Sequence, residues 1–396
     1  MTLPIDGAIR GVAASGGSLF AAVERGKTTT IEAHRGSAIA WHVELATTGG
    51  PIAASSTRVA AAVGATDELG AGTVRGEPAA AIVGLELATG TKQWTLLLDS
   101  TEWVIATSLA PLGDDFIVGG SFGGTLRAGT HVVTSAGSSD GFVARVNAKG
   151  QIVWLIRLGG AGADGVQGVA TTDQRIAIAG TFTTGAELAG VALPAYDDRL
   201  PFGDGFAAEL DGNGARRWAQ TFGGRADDAV AGVTIDGRGN VVVAASVHEV
   251  VGFGAAQHVT QGPSDGLLVW FRAGGEQGAS VRVGGLDFDG LRAITSAGDK
   301  VIAGGFFSGS IKLGDRTLTA GGGDDSFIAA FDERGAVATA WHVGGDGREE
   351  ITALAPIAGG FVAGVAHTAK AHVDDTKLDA PKDPMRGSAL LVRGVP

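Results

Sequence analysis

The sequence predicts an all-β protein made of one four-stranded sheet repeated along the chain, and three observations carry that prediction. A module recurs four times: SDGFVARVNAKGQIVWLIRLGG at Ser139–Gly160, GDGFAAELDGNGARRWAQTFGG at Gly203–Gly224, SDGLLVWFRAGGEQGASVRVGG at Ser264–Gly285 and DDSFIAAFDERGAVATAWHVGG at Asp324–Gly345. Each copy holds two apolar or alternating runs, such as Phe142–Val146 and Ile152–Leu158, separated by a four-residue turn. Glycine is abundant, 67 of 396 residues, about twice its usual share of ~7%.

The turns are Asn147-Ala148-Lys149-Gly150, Asp211-Gly212-Asn213-Gly214 and Asp332-Glu333-Arg334-Gly335. An Asx at the first position and glycine at the fourth is the pattern of a type I turn closed by a left-handed residue, which makes each module a β-hairpin. A second hairpin precedes it. Its first strand is Val166–Thr171, Val230–Ile235 or Leu291–Thr295, and its second is Arg175–Gly180, Asn240–Ala245 or Lys300–Gly305. Four short strands, then Gly-Gly, then four more, is the pattern of a propeller blade. The expected architecture is therefore a single seven-bladed β-propeller domain of four-stranded antiparallel blades. The blades run approximately over 7–50, 51–100, 101–160, 161–224, 225–285, 286–345 and 346–396. The first two are more worn, although Ala79–Ser100 keeps the module length and its tryptophan.

Twisted sheets converge at the propeller axis and splay apart at the rim. Inner strands then take small residues, as at Gly119-Gly120, Ala179-Gly180, Gly304-Gly305 and Ala363-Gly364. Outer strands fill a wide gap, so Trp94, Trp154 and Trp218 at one offset from the turn glycine read as rim fillers. Trp341 comes two residues later on the same strand face, while blade five has Ala279 there and Trp270 on the neighbouring strand, a candidate compensation. The last blade ends after its third strand, Ser388–Arg393. Thr2–Ile5 is expected to supply the fourth and close the sheet edge.

Composition excludes several classes. Hydrophobic residues make up 44% and charged residues 18%, enough apolar material for a core and against disorder. A net charge of −12 argues against nucleic acid or an anionic membrane as partner. Cysteine is absent, which removes disulfides, thiolate metal sites and cysteine nucleophiles together. No apolar run approaches the ~18 residues of a membrane helix. MTLPIDGAIRG is not a signal peptide and reads as the inside of a repeat, so the chain is expected to be processed or trimmed.

The run GG-x3-D, apolar strand, turn, strand ending in small residues, G-x-x-D-x-F and closing GG resembles the bacterial seven-bladed β-propeller (SBBP) repeat family. Gly159–Gly224 and Gly284–Gly345 are its clearest copies here. Blades one and two depart from it, lacking the GG-x3-D start. The resemblance implies the propeller fold and an extracellular, cell-surface or periplasmic setting. It implies no shared reaction and no catalytic residues.

Two features are expected at one end of the blades. A recurring acid stands four residues after each Gly-Gly: Asp164, Asp228, Asp289 and Glu349. Converging carboxylates would suit Ca2+, a hard cation that takes several oxygen ligands. Alternatively each acid accepts backbone N–H bonds within its own turn, as does a second recurring set, Asp140, Asp204, Asp265 and Asp325. The calcium-loop look of Gly285–Gly290 is discounted, since the downstream glutamate is missing. The other feature is the set of long loops between second and third strands. Tyr196, Asp197, Asp198 and Arg199 form the first candidate contact patch, with Asp374, Asp375 and Lys377 the second. The eight histidines (34, 42, 131, 248, 258, 342, 367 and 372) are scattered in sequence, with His367 and His372 the one suggestive pair, and no nucleophile elbow occurs.

The reading favoured is a non-catalytic binding or scaffolding propeller that presents an acidic, loop-rich face to a protein or glycan partner outside the cytoplasm, with no nucleic acid and no membrane insertion. The cofactor expectation is none, or Ca2+ if the acids converge. A metal-assisted hydrolase or lyase on polysaccharide and a propeller lectin are the alternatives.

Overall fold

The computed structural model describes residues 1–66, 79–195, 203–380 and 387–395. The fold is the predicted seven-bladed β-propeller, all-β and without helix among the described residues. The chain clusters into two compact units, Arg10–Thr221 and Met1–Ile9 with Phe222–Pro396, and the division falls within the last strand of blade four.

In the first unit, blade one comprises Ala8–Ser15, Ser18–Arg25, Thr28–Arg35 and Ala38–Leu45, and blade two Gly49–Ala54, Arg58–Gly64, Ala80–Glu86 and Lys92–Ser100. Blade three comprises Trp103–Leu112, Asp115–Gly123, Asp140–Val146 and Ile152–Gly159, and blade four Gly165–Thr172, Arg175–Phe182, Asp204–Asp211 and Arg216–Gly224. The other unit holds blade five (Ala229–Ile235, Val241–Val247, Asp265–Phe271, Gln277–Val283) and blade six (Asp289–Ala297, Lys300–Phe307, Asp325–Phe331, Val337–Gly345). Blade seven takes Glu349–Ile357, Gly360–His367 and Gly387–Gly394, and its fourth strand is Thr2–Asp6, running antiparallel from Thr2 opposite Leu391 to Asp6 opposite Gly387. That completion of the last sheet by the amino terminus is as expected, and Leu3 and Ile5 bury their side chains there.

Asx-Gly turns shape three of the four module hairpins, the Ser264–Gly285 module turning instead at Arg272–Gly275. Asn147 Oδ1 accepts the N–H groups of Lys149 and Gln151, and Asp211 and Asp332 do the same in their turns. Gly150, Gly214 and Gly335 take the left-handed conformation at the fourth position that favours glycine. The first strands of blades three to seven share a bulge at one point, between Ala106 and Ser108, Val166 and Gly168, Val230 and Gly232, Leu291 and Ala293, and Ile351 and Ala353. A bulge bends a strand and adds twist.

The core lies between successive sheets. Ile117 and Val143 of blade three pack with Val166, Ile178 and Phe206 of blade four, and Ile302 and Ile328 of blade six pack with Ile351, Val365 and Leu391 of blade seven. Small residues set the approach: a Cβ on Gly304 would stand 2.8 Å from Ile351 Cγ2. Where the second strand ends, ring pairs recur within blades, Phe122–Phe142 and Phe182–Phe206 at 6.3 Å and Phe307–Phe327 at 6.4 Å between centroids.

The second-to-third-strand connections of blades three to seven, expected as long loops, each contain a short hairpin, and several add to the outer strand of the preceding blade. Thr125–Ala128 of blade three pairs with Leu98–Ser100 of blade two, Glu187–Leu188 of blade four pairs with Leu158 and Gly159, and Ala371–Val373 of blade seven pairs with Val343–Gly345. In the second unit Val251 and Gly252 pair with Gly224 and Gly223. Blade-to-blade hydrogen bonding of this kind covers outer edges that would otherwise be open, and no sequence pattern inside a single blade could announce it.

Candidate functional site

The recurring acids are buried at the end of the sheets where one blade passes to the next. Asp164 accepts the N–H groups of Gly160 and Thr183, both at 2.7 Å, and the Thr183 hydroxyl at 3.2 Å. Asp289 repeats the arrangement with the Gly285 N–H at 2.5 Å, and Asp228 accepts from the His248 N–H at 3.3 Å. Each acid thereby ties the Gly-Gly segment before it or the second strand beside it to its own blade. Glu349 keeps the position but not the bonds. Glu349 is 1% exposed, and among the described residues neither of its carboxyl oxygens accepts a hydrogen bond.

The second recurring acid stands beside the first. A Cβ built on Gly159 would lie 2.6 Å from Asp140 Cγ and 2.9 Å from Asp164 Oδ2, so the two carboxyls flank that glycine. Three of the four third-strand acids are met by a base on the fourth strand of their own blade. Asp140 pairs with Arg157, Asp265 with Arg282 at 2.7 Å and Asp325 with His342 Nε2 at 2.7 Å. The spacing is constant: 140 to 157, 265 to 282 and 325 to 342. That periodic acid–base pair is legible in the sequence once strand pairing is known, and the sequence analysis missed it. Blade four breaks it, with Thr221 at the corresponding place donating instead to the Pro194 carbonyl at 2.8 Å.

Burial pushes the Asp164 carboxyl up, aided by Asp140, while the N–H bonds from Thr183 and Gly160 oppose the rise. Burial also raises Asp289, to about 6, against the Gly285 N–H and with help from Asp265. Glu349 is pushed furthest, to about 8, by burial first and then by Asp325 and Asp346. A buried carboxyl without donors and beside another carboxyl holds its proton.

Asp164 belongs to one unit, and Asp228, Asp289 and Glu349 to the other. Among the described residues no three His, Asp or Glu side chains are grouped so as to hold a metal ion. Tyr196, Asp197, Asp198 and Arg199 lie outside the described residues. Asp374 sits at the turn of the blade-seven hairpin, where it accepts Arg316 Nη2 at 2.8 Å and the His342 N–H at 3.2 Å. It clasps that hairpin onto blade six, whereas Asp375 and Lys377 are exposed. His367 and His372 do not face each other as a ligand pair: His367 Nδ1 contacts the Ala369 carbonyl, and His372 stacks edge-on with His342 at 5.3 Å.

One feature of this end escaped the sequence reading. In the link from blade five to blade six, Leu286 is 77% exposed and Phe288 58%, while Asp289 beside them is fully buried. The Ser308 N–H donates to the Phe288 carbonyl at 3.0 Å, which places the start of the blade-six hairpin loop against this link.

No family model and no curated protein sequence matches the chain. Solved structures do. A polysaccharide lyase, an ulvan lyase described as bound to -[GlcA(1-4)Rha3S]-, is similar at 9% identity over 98% of this chain and 94% of its own, with a TM-score of 0.57. Hydrazine synthase from Kuenenia stuttgartiensis is similar at 10% identity over 90% of this chain and 92% of its own, with a TM-score of 0.53. At such identities the likeness is one of fold, and function has to be argued from the site.

Proposed function

We propose that the chain is a non-catalytic binding propeller whose blade-linking end docks a protein or glycan partner outside the cytoplasm. The carrying observation is the exposed pair Leu286 and Phe288 on a link held rigid by the buried Asp289. Large apolar side chains kept in water on a fixed loop favour contact with a partner. The acids at 164, 228 and 289 point the same way, because each accepts backbone N–H groups, and Asp265 is held by Arg282. Exposed Asp375 and Lys377 are the further contact candidates of this unit.

The test is capture of surface material from the source cell on immobilised protein, comparing the native chain with Leu286→Ser/Phe288→Ser and with Tyr196→Ala. Capture should fall in the variants while the unfolding midpoint stays put. Equal loss of both would make these residues structural. The rival, a calcium-assisted hydrolase or lyase using Asp164, Asp228, Asp289 and Glu349, predicts that added Ca2+ raises the unfolding midpoint by mass action. A flat calcium response removes its premise.

A further inference from the structure

Three blades of the Arg10–Thr221 unit lock their rim tryptophan in the same way. Trp41 Nε1 donates to the Leu87 carbonyl at 3.0 Å, Trp94 to Ala148 at 3.1 Å and Trp154 to Gly212 at 3.1 Å. In each case the acceptor belongs to the turn between third and fourth strands of the next blade. The indole fills the gap between two turns and ties them together.

Blade five has no such residue. Gly278 and Ala279 occupy that stretch, and the space is open as a cavity of about 630 Å³. Its walls are Arg238 and Asn240 of the first turn in blade five, Arg272 of that blade's second turn, and Glu333 and Arg334 of the blade-six turn. Glu333 and Arg334 belong to the turn that, by analogy with the other blades, would receive the missing indole. Trp270 on the third strand also lines the cavity, 2% exposed, and its Nε1 has no acceptor. It does not restore the lock as a compensating tryptophan would.

The charge of the cavity runs against that of the chain. Three arginines face one glutamate, in a protein of net charge −12. Arg238 is paired with Glu333 and, at 3.6 Å, with Asp299. Arg272 and Arg334 carry no ion pair or side-chain hydrogen bond among the described residues and are exposed at the mouth. Two guanidinium groups without ion-pair partners, an apolar wall and an indole N–H without an acceptor match an oxyanion carried on a ring-sized body.

We propose that this cavity binds a small organic anion, a carboxylate or sulfate ester on a body of one or two rings. Arg272 and Arg334 hold the charge, and Trp270 with Ala279 forms the apolar wall. The site lies at the end of the sheets bearing the first-to-second and third-to-fourth turns, opposite the end proposed above for docking, and does not depend on that reading.

Titration calorimetry of the whole chain with glucuronate, and separately with sodium sulfate, against chloride at equal ionic strength tests it. Saturable binding of at least one probe tighter than about 1 mM is expected. Arg272→Gln/Arg334→Gln should weaken it about 10-fold or more without moving the unfolding midpoint. Ala279→Trp, which restores the rim residue of the other blades, should abolish binding and raise the midpoint. The proposal is overturned if neither probe binds, if chloride competes equally, or if binding survives both the arginine pair's removal and Ala279→Trp.

Discussion

Glu349→Gln gives the sharpest test of how the acid positions work. Glu349 ordinarily titrates at 4.5 and is pushed up to about 8. Between those values the folded chain holds a proton that the unfolded chain releases. Stability from this group is therefore complete below pH 4.5 and declines as pH climbs towards 8. The gap of about 3.5 pH units, at ~1.4 kcal/mol each, sets an upper figure of ~5 kcal/mol above pH 8 and ~3 kcal/mol at pH 7. Glutamine keeps the shape and removes the ionisation, with Asp325, Asp346 and His342 left in place. Urea unfolding at pH 5, 6, 7 and 8 should show the variant close to the native chain at pH 5 and more stable by a few kcal/mol at pH 7 to 8. Taking the difference between the two proteins cancels Asp164 and Asp289, which are also raised. A difference that is constant with pH, or that shrinks as pH rises, would refute the account.

Other perturbations read other parts of the construction. Arg282→Met strands the buried Asp265 carboxylate, with the Gln261 N–H at 2.8 Å as one remaining donor, and should cost about 2–4 kcal/mol in urea unfolding at neutral pH. Gly304→Val forces a branched side chain against Ile351, 2.8 Å from the first added carbon; calorimetry should show a loss of about 2–3 kcal/mol. Deleting Thr2–Asp6 uncovers the Gly387–Gly394 edge and removes the burial of Leu3 and Ile5, about 2 kcal/mol each. Hydrogen exchange should then quicken at the amides of Gly387–Leu391 while the blades of the Arg10–Thr221 unit keep their protection.

Repeats, turn chemistry and the missing fourth strand of blade seven are local or periodic patterns, so the amino-acid order alone determined the seven-bladed architecture and the strand that completes its last blade. An Asx-Gly turn dictates a hairpin wherever it stands, and glycine at 304 has one steric meaning against any close neighbour. The acids at 164, 228 and 289 were legible as capping groups for the same reason, since their partners lie within a few residues or on the adjoining strand. Tertiary structure decided what depends on two blades at once. It turned the loops into hairpins that add to the preceding sheet, and it spent Asp374 on a clasp to Arg316. It also brought His342 beside His372, placed Glu349 against Asp325 without a donor, and left a cavity where Ala279 replaces a tryptophan. Pairing across separate elements fixes which polar groups are buried with partners and which without. That distribution of charge and space, more than the repeat itself, is where this protein's chemistry resides.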